Sequence, residues 1–161
     1  MSQADLEPEP GIGNGRVSAS FIRVLIVDDA RQFQEFLALF LLERPKFQVI
    51  ATVSDGLEAV RSAHELQPDL ILLDIGLPRL NGIEAARRIR ELSPRSRILF
   101  VSQESSPDVV QEALRTGASG YVVKLDAGRE LLAAVDSVLR GEQYIGNRFA
   151  LHHFAEGKAA M

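Results

Sequence analysis

With 161 residues, 46% of them hydrophobic, the chain can bury one good core and has no room for two full domains. A formal net charge of −4 and a pI near 5.4 argue against a general nucleic-acid surface, which normally needs clustered excess Lys and Arg. The absence of cysteine excludes disulfide scaffolds and thiolate metal sites.

The chain opens on "MSQADLEPEP", acids and prolines where a secretory signal needs a basic start and an apolar run. Residues 1–20 combine Pro8, Pro10, Gly11, Gly13 and Gly15 with Ser and acids, a composition that predicts a flexible leader. Its "GIGNGR" is no dinucleotide loop, because such a loop follows a strand and these glycines precede the first one.

From Phe21 onward, short aliphatic runs alternate with helical spacing. "FIRVLIV", "FQVIATV", "DLILLD", "RILFVS" and "GYVV" read as strands. Phe33, Phe36, Leu37, Phe40 and Leu41 form one helical stripe, which ends before Pro45. Leu57, Val60, Ala63 and His64 mark a second helix, and Ile83, Ala86, Ile89 and Arg90 a third. Val109, Val110, Ala113 and Leu114 mark a fourth, and Leu131, Leu132, Val135, Val138 and Leu139 a fifth. Five such β–α units predict a doubly wound α/β fold with a five-stranded parallel sheet, covered by helices on both faces. The longest strongly apolar run, "FLALFLL" at 36–42, is far below the roughly 18 residues of a membrane span, so a soluble cytoplasmic protein is expected.

In such a sheet the functional groups gather beyond the carboxyl ends of the strands. The first strand ends on Asp28 and Asp29, the third on Asp74, the fourth on Ser102 and the fifth on Lys124, so five side chains are expected on one rim. Three clustered carboxylates raise one another's pKa unless a positive charge sits among them. A hard cation with oxygen ligands is the simplest neutraliser, and Mg²⁺ suits an open site that keeps several waters. A hydroxyl and an ammonium flanking a carboxylate make a cradle for phosphoryl oxygens, with Asp74 by position as the nucleophile. Taken singly, each residue has a plainer reading: Asp29 as a helix cap, Tyr121 as a core aromatic, Lys124 as a solvated cation. Their combination favours the functional reading.

The set "VLIVDDA", "PDLILLDIGLPRLNGIEAARRIR", "RILFVSQ" and "GASGYVVK" resembles the response-regulator receiver domain of two-component signalling, in its NarL/FixJ (LuxR-type) branch. The resemblance runs from about Arg23 to Gly141. It implies the sheet order 2-1-3-4-5, Asp74 as the phosphorylated aspartate, and Asp28 and Asp29 as the acidic pair that holds Mg²⁺ with Asp74 and the carbonyl of Gly76. It further implies Lys124 as the lysine that contacts the phosphoryl group, Ser102 as the hydroxyl that closes on it, and Tyr121 as the aromatic switch that turns inward. The implied donor is a histidine kinase or phosphotransfer protein, and the chain is no enzyme beyond its own phosphorylation and dephosphorylation.

Five positions depart from that pattern or vary within it. Ser102 stands where Thr is usual, and keeps the hydroxyl without the stiffness of β-branching. Gln103 follows where a small residue is usual, and either narrows access for a donor or bonds to the phosphoryl group. Leu125 replaces a frequent proline, so no cis peptide is expected there. Gly76 and Glu104 occupy the two variable positions that the resemblance links to phosphoryl lifetime.

About twenty residues follow Gly141, too few for the helix-turn-helix domain common in the branch, so no direct nucleic-acid binding is expected. In the 142–161 tail, Phe149, Ala150, Leu151, Phe154 and Ala155 have near-helical spacing. That predicts either a short helix docked on the receiver or on a second subunit, or the stub of a longer protein. A homodimer formed on phosphorylation is one expected output. His152 and His153 would point apart on a helix, so both are expected to be solvated. A flavodoxin-like cofactor binder would want Gly, Ser or Thr where "DDARQF" stands. A haloacid-dehalogenase-type phosphatase would want an acid at Gly76. A pseudo-receiver used for protein contacts alone is the remaining alternative.

Overall fold

The computed structural model describes residues 20–152 and 154. The predicted leader, with its "GIGNGR", lies outside them except for Ser20, as do His153 and residues 155–161 of the tail.

The elements follow in strict alternation: β1 (Ile22–Val27), α1 (Arg31–Leu42), β2 (Phe47–Val53), α2 (Gly56–Leu66), β3 (Leu70–Leu73), α3 (Gly82–Leu92), β4 (Arg97–Ser102), α4 (Pro107–Arg115), β5 (Gly120–Val123) and α5 (Ala127–Leu139). β6 (Tyr144–Ile145) comes last. All the strands are parallel, in the order β2-β1-β3-β4-β5-β6. Alternate residues of the central strands face opposite layers. Leu25, Val27, Ile71, Leu73, Ile98, Phe100, Tyr121 and Val123 pack toward α2, α3 and α4. Val24, Ile26, Leu70, Leu72, Leu99, Val101 and Val122 pack toward α1 and α5. Strands buried on both faces explain the unbroken aliphatic runs.

Two differences from the sequence reading stand out, and both lie after Gly141. The expected five-stranded sheet has a sixth strand, and where the tail is described it forms β6 and a single 3₁₀ turn at Asn147–Phe149 in place of a helix. Long-range bonds decide the point: the Gly146 N–H donates to the Tyr121 carbonyl at 3.0 Å, and the Asn147 N–H to Glu130 Oε2 at 3.1 Å. Those partners hold residues 144–147 against β5 and α5, and beyond them the described chain makes only a 3₁₀ turn.

The loop from Asp74 to Asn81 is shaped by close backbone approach. A Cβ on Gly82 would meet the Asp74 carbonyl oxygen at 2.0 Å, and one on Gly56 would meet the Leu80 carbonyl oxygen at 1.8 Å. Neither glycine has a positive φ, so space and not dihedral freedom requires it. Gly82→Ala should therefore push α3 away from β3, at a cost of about 1–3 kcal/mol typical of overpacking. Thermal melting checks this, and an unchanged Tm would show that the loop yields freely.

Candidate functional site

The carboxyl ends of β1, β3, β4 and β5 bring Asp28, Asp74, Ser102 and Lys124 to the same rim. The Asp28 N–H donates to Val53 at 3.1 Å and the Asp74 N–H to Val27 at 3.0 Å, so both acids begin where the sheet ladder ends. Asp28 is 1% exposed, and its Oδ1 accepts the Ala30 N–H at 2.8 Å. The N-cap of α1 is Ala30, with no side-chain cap, so Asp29 does not cap the helix and stands exposed at the rim. Asp74 Oδ1 accepts its own neighbour's N–H, that of Ile75, at 2.7 Å, which leaves Oδ2 directed into the site.

Lys124 sits between the two buried acids. Its Nζ is 3.1 Å from Asp74 Oδ2, in hydrogen-bond geometry, and 2.8 Å from Asp28 Oδ2. The second contact is an ion pair by distance but lies off the hydrogen-bond direction, so the buried Asp28 Oδ2 keeps an unused acceptor lobe. Burial raises the Asp28 pKa above the ordinary carboxylate value; the adjacent Lys124 ammonium and the Ala30 N–H oppose this, and the Asp74 charge adds to it. Burial alone would lower the Lys124 pKa, but the two carboxylates outweigh it and hold the ammonium above its usual value.

Carboxylate oxygens of Asp28, Asp29 and Asp74 all lie within 4.8 Å of one another. Hard oxygen donors and an unused buried lone pair on Asp28 fit a hard divalent cation. Gly76 is exposed beside them, and a Cβ there would touch nothing within 4 Å. The approach to Asp74 past Gly76 is open.

Ser102 is buried, and its Oγ accepts the Glu104 N–H at 3.4 Å. Tyr121, expected as a residue that turns inward, is already inside: 0% exposed, with its O–H donating to the Glu104 carbonyl at 2.8 Å. Burial drives its phenol pKa well above the ordinary value, with a bond to Ser102 working against it. Gln103 is exposed and lines, with Phe33, Phe36, Lys124 and Gly128, a cleft of about 440 Å³ beside the acids. All described peptide bonds are trans, the one before Leu125 included.

The rim also has a member that the sequence reading placed in the core stripe. Phe33, half-buried at the start of α1, puts its ring 4.6 Å from Lys124 Nζ. Its helical spacing with Leu37 and Leu41 signals packing alone, since which face of a ring meets a distant lysine has no one-dimensional signature. A cation over a ring face is worth about 0.5–1 kcal/mol at an exposed site. Phe33→Leu keeps the apolar bulk without the π face; if Lys124 contacts a phosphoryl group, as the family resemblance implies, the change should slow phosphoryl uptake about two- to fivefold by letting Lys124 wander. Initial rates of labelling check this, and an unchanged rate would confine Phe33 to packing.

Residues 24–136 match the family model described as the response regulator receiver domain. The chain belongs to that family. It is 36% identical over 132 residues to the transcriptional regulatory protein DegU of Brevibacillus brevis, covering 82% of this chain and 56% of that protein. It is 42% identical over 105 residues to a protein-glutamate methylesterase/protein-glutamine glutaminase of Thermotoga maritima, covering 64% of this chain and 30% of that protein. Among solved structures, a LuxR-family two-component response regulator from Aurantimonas sp. SI85-9A1 superposes with a TM-score of 0.77 at 32% identity, covering 88% of this chain and 98% of that one. The receiver fold with its parallel sheet and five helices is thereby shown, together with LuxR- and NarL-type response-regulator relatives. These relatives are mostly regulators, the methylesterase being an enzyme. The receiver spans between 54% and 61% of the length of three curated transcriptional regulators. Among the described residues no helix is long and apolar enough to cross a membrane.

Proposed function

We propose that this receiver is a phosphoacceptor, taking a phosphoryl group onto Asp74 from the phosphohistidine of a histidine kinase or phosphotransfer protein. The observation that carries the reading is the placement of Lys124 between Asp28 and Asp74, beside the one Asp74 oxygen that the backbone does not hold. Oδ2 attacks phosphorus in line, the new O–P bond forms as the donor's N–P bond breaks, and the leaving imidazole takes up a proton. Lys124 shifts from carboxylate to phosphoryl oxygen without leaving the site, and Ser102 supplies a hydroxyl to a second oxygen. Asp28 and Asp29 would hold Mg²⁺, with Asp74 and the Gly76 carbonyl, and the ion would neutralise the charge that accumulates on the oxygens.

The product carries about −1.5 to −2 charge at neutral pH, by analogy with phosphorylated hydroxyls. That charge biases the surface around α4, β5 and α5 toward one of two states, for a protein partner or for dimerisation. In this reading the chain works in the cytoplasm and catalyses nothing beyond its own phosphorylation and dephosphorylation.

Intact mass after incubation with acetyl phosphate and Mg²⁺ tests the reading. One added phosphoryl group, absent when the metal is chelated beforehand, is expected, and a shift in elution would mark dimerisation as output. No addition, even from a phosphohistidine donor, would leave a pseudo-receiver that works through protein contacts alone.

A further inference from the structure

Tyr121 lies near one edge of the sheet, and the chain after α5 returns to cover that edge. On β5, Tyr121 is in register with Phe100 of β4 on one side and Ile145 of β6 on the other. Its ring belongs to an aromatic row that leads from the core to the tail: Phe100 to Tyr121 at 6.0 Å, Tyr121 to Phe149 at 6.3 Å, and Phe149 to Phe154 at 5.9 Å. Phe149 meets Tyr121 nearly perpendicular, at 85°, and is itself 3% exposed. Edge-to-face is the favoured geometry for such a pair.

The row is held from outside by polar anchors on the start of α5. Arg148 makes a two-pronged pair with Asp126, Nε to Oδ2 at 2.7 Å and Nη2 to Oδ1 at 3.1 Å. Glu130, 5% exposed, accepts the Asn147 N–H. With the Gly146 bond to the Tyr121 carbonyl, these contacts tie residues 144–149 to the backbone and the ring of the same tyrosine.

We infer that residues 144–149 act as a strap whose Phe149 holds Tyr121 in its inward position. An aromatic on β5 that swings outward must cross the sheet edge, and Phe149 fills that path. The inward position beside Ser102 is therefore the resting one before any phosphoryl group arrives. Resting on the reading of Asp74 as the phosphoacceptor, the strap and the phosphoryl site are coupled. A partner that peels the strap away frees Tyr121 and weakens closure of Ser102, while phosphorylation tightens the strap by the same factor. Phe149 is a positioning residue, acting on the site through Tyr121.

The chain has two tyrosines and no tryptophan, so in a Tyr144→Phe background Tyr121 is the sole tyrosine fluorophore. Acrylamide quenching then reads its exposure directly. Adding Phe149→Ala should raise quenching, reflecting a shift of about two- to tenfold in the inward–outward equilibrium, the worth of one edge-to-face ring pair. Beryllium fluoride with Mg²⁺, standing in for the phosphoryl group, should restore the shielding, and Phe149→Leu should fall between. A merely structural role for Phe149 would instead lower the melting cooperativity, with no rescue by beryllium fluoride. Unchanged quenching in a folded Phe149→Ala chain would overturn the strap. Should that variant fail to fold, Arg148→Ala cuts the Asp126 anchor while keeping the ring; a smaller rise is expected, and no rise overturns the inference. If the native chain takes up no beryllium fluoride, the Asp74 reading and the coupling fail together, while shielding by Phe149 is decided by the quenching alone.

Discussion

Replacing Asp74 with Asn should abolish phosphoryl uptake from acetyl phosphate while leaving the fold intact. The amide oxygen can still accept the Ile75 N–H that the Asp74 carboxylate accepts at 2.7 Å, so the loop keeps its anchor. What is lost is the second oxygen's charge, and a neutral amide is no nucleophile toward phosphorus. Lys124 keeps Asp28 as a partner at 2.8 Å, so the ammonium is not stranded. Burial remains the main cause of the raised Asp28 pKa, but the Asp74 charge that adds to it is gone, so that pKa should move back toward the ordinary value. Intact mass beside the native chain reads the outcome, with circular dichroism to confirm the fold. Labelling at the native rate would put the nucleophile at Asp28 or Asp29.

Lys124→Met should be the most destabilising single change at the rim. It leaves two carboxylates facing each other with no cation, and the Lys124 side chain is only 13% exposed, so water is poorly placed to take over. Breaking a buried ion pair from one side costs about 3–5 kcal/mol. For a domain of this size that lowers Tm by about 10 °C. Added Mg²⁺ should restore part of the loss by returning positive charge to the acids, though phosphoryl uptake would stay slow.

The pH dependence has a definite sign on each side. In the native chain the Lys124 pKa is raised on folding, so its stabilisation is complete below about pH 10, near its unfolded pKa, and is lost as pH rises through the higher folded value. The variant lacks that alkaline loss. Its unpaired Asp28 binds a proton more readily folded than unfolded, so the deficit should be greatest at neutral pH and shrink as pH falls toward about 4. Equal melting temperatures at neutral pH would mean that the acids are not coupled through Lys124.

Local pattern and tertiary contact divided the information unevenly. The sequence by itself determined the β–α alternation, because two-residue and 3.6-residue periodicities are written along the chain and survive without knowledge of any partner. It also determined that Asp28, Asp29, Asp74, Ser102 and Lys124 share one rim, since strands of a parallel sheet all end on the same side.

Tertiary structure decided how those residues face one another. Asp28 is buried and Asp29 exposed although they are adjacent, because side chains alternate as β1 runs out of the sheet. Lys124 lies between Asp28 and Asp74 because low-dielectric burial makes the ammonium the nearest available counter-charge. β6 was illegible for a different reason. Two residues carry no periodicity, and the edge they pair with lies more than twenty residues back in the chain. The inward position of Tyr121 and the ring of Phe33 beside Lys124 likewise depend on neighbours brought together only by folding. Spacing along a sequence records which face a residue occupies, and not which distant side chain will meet it there.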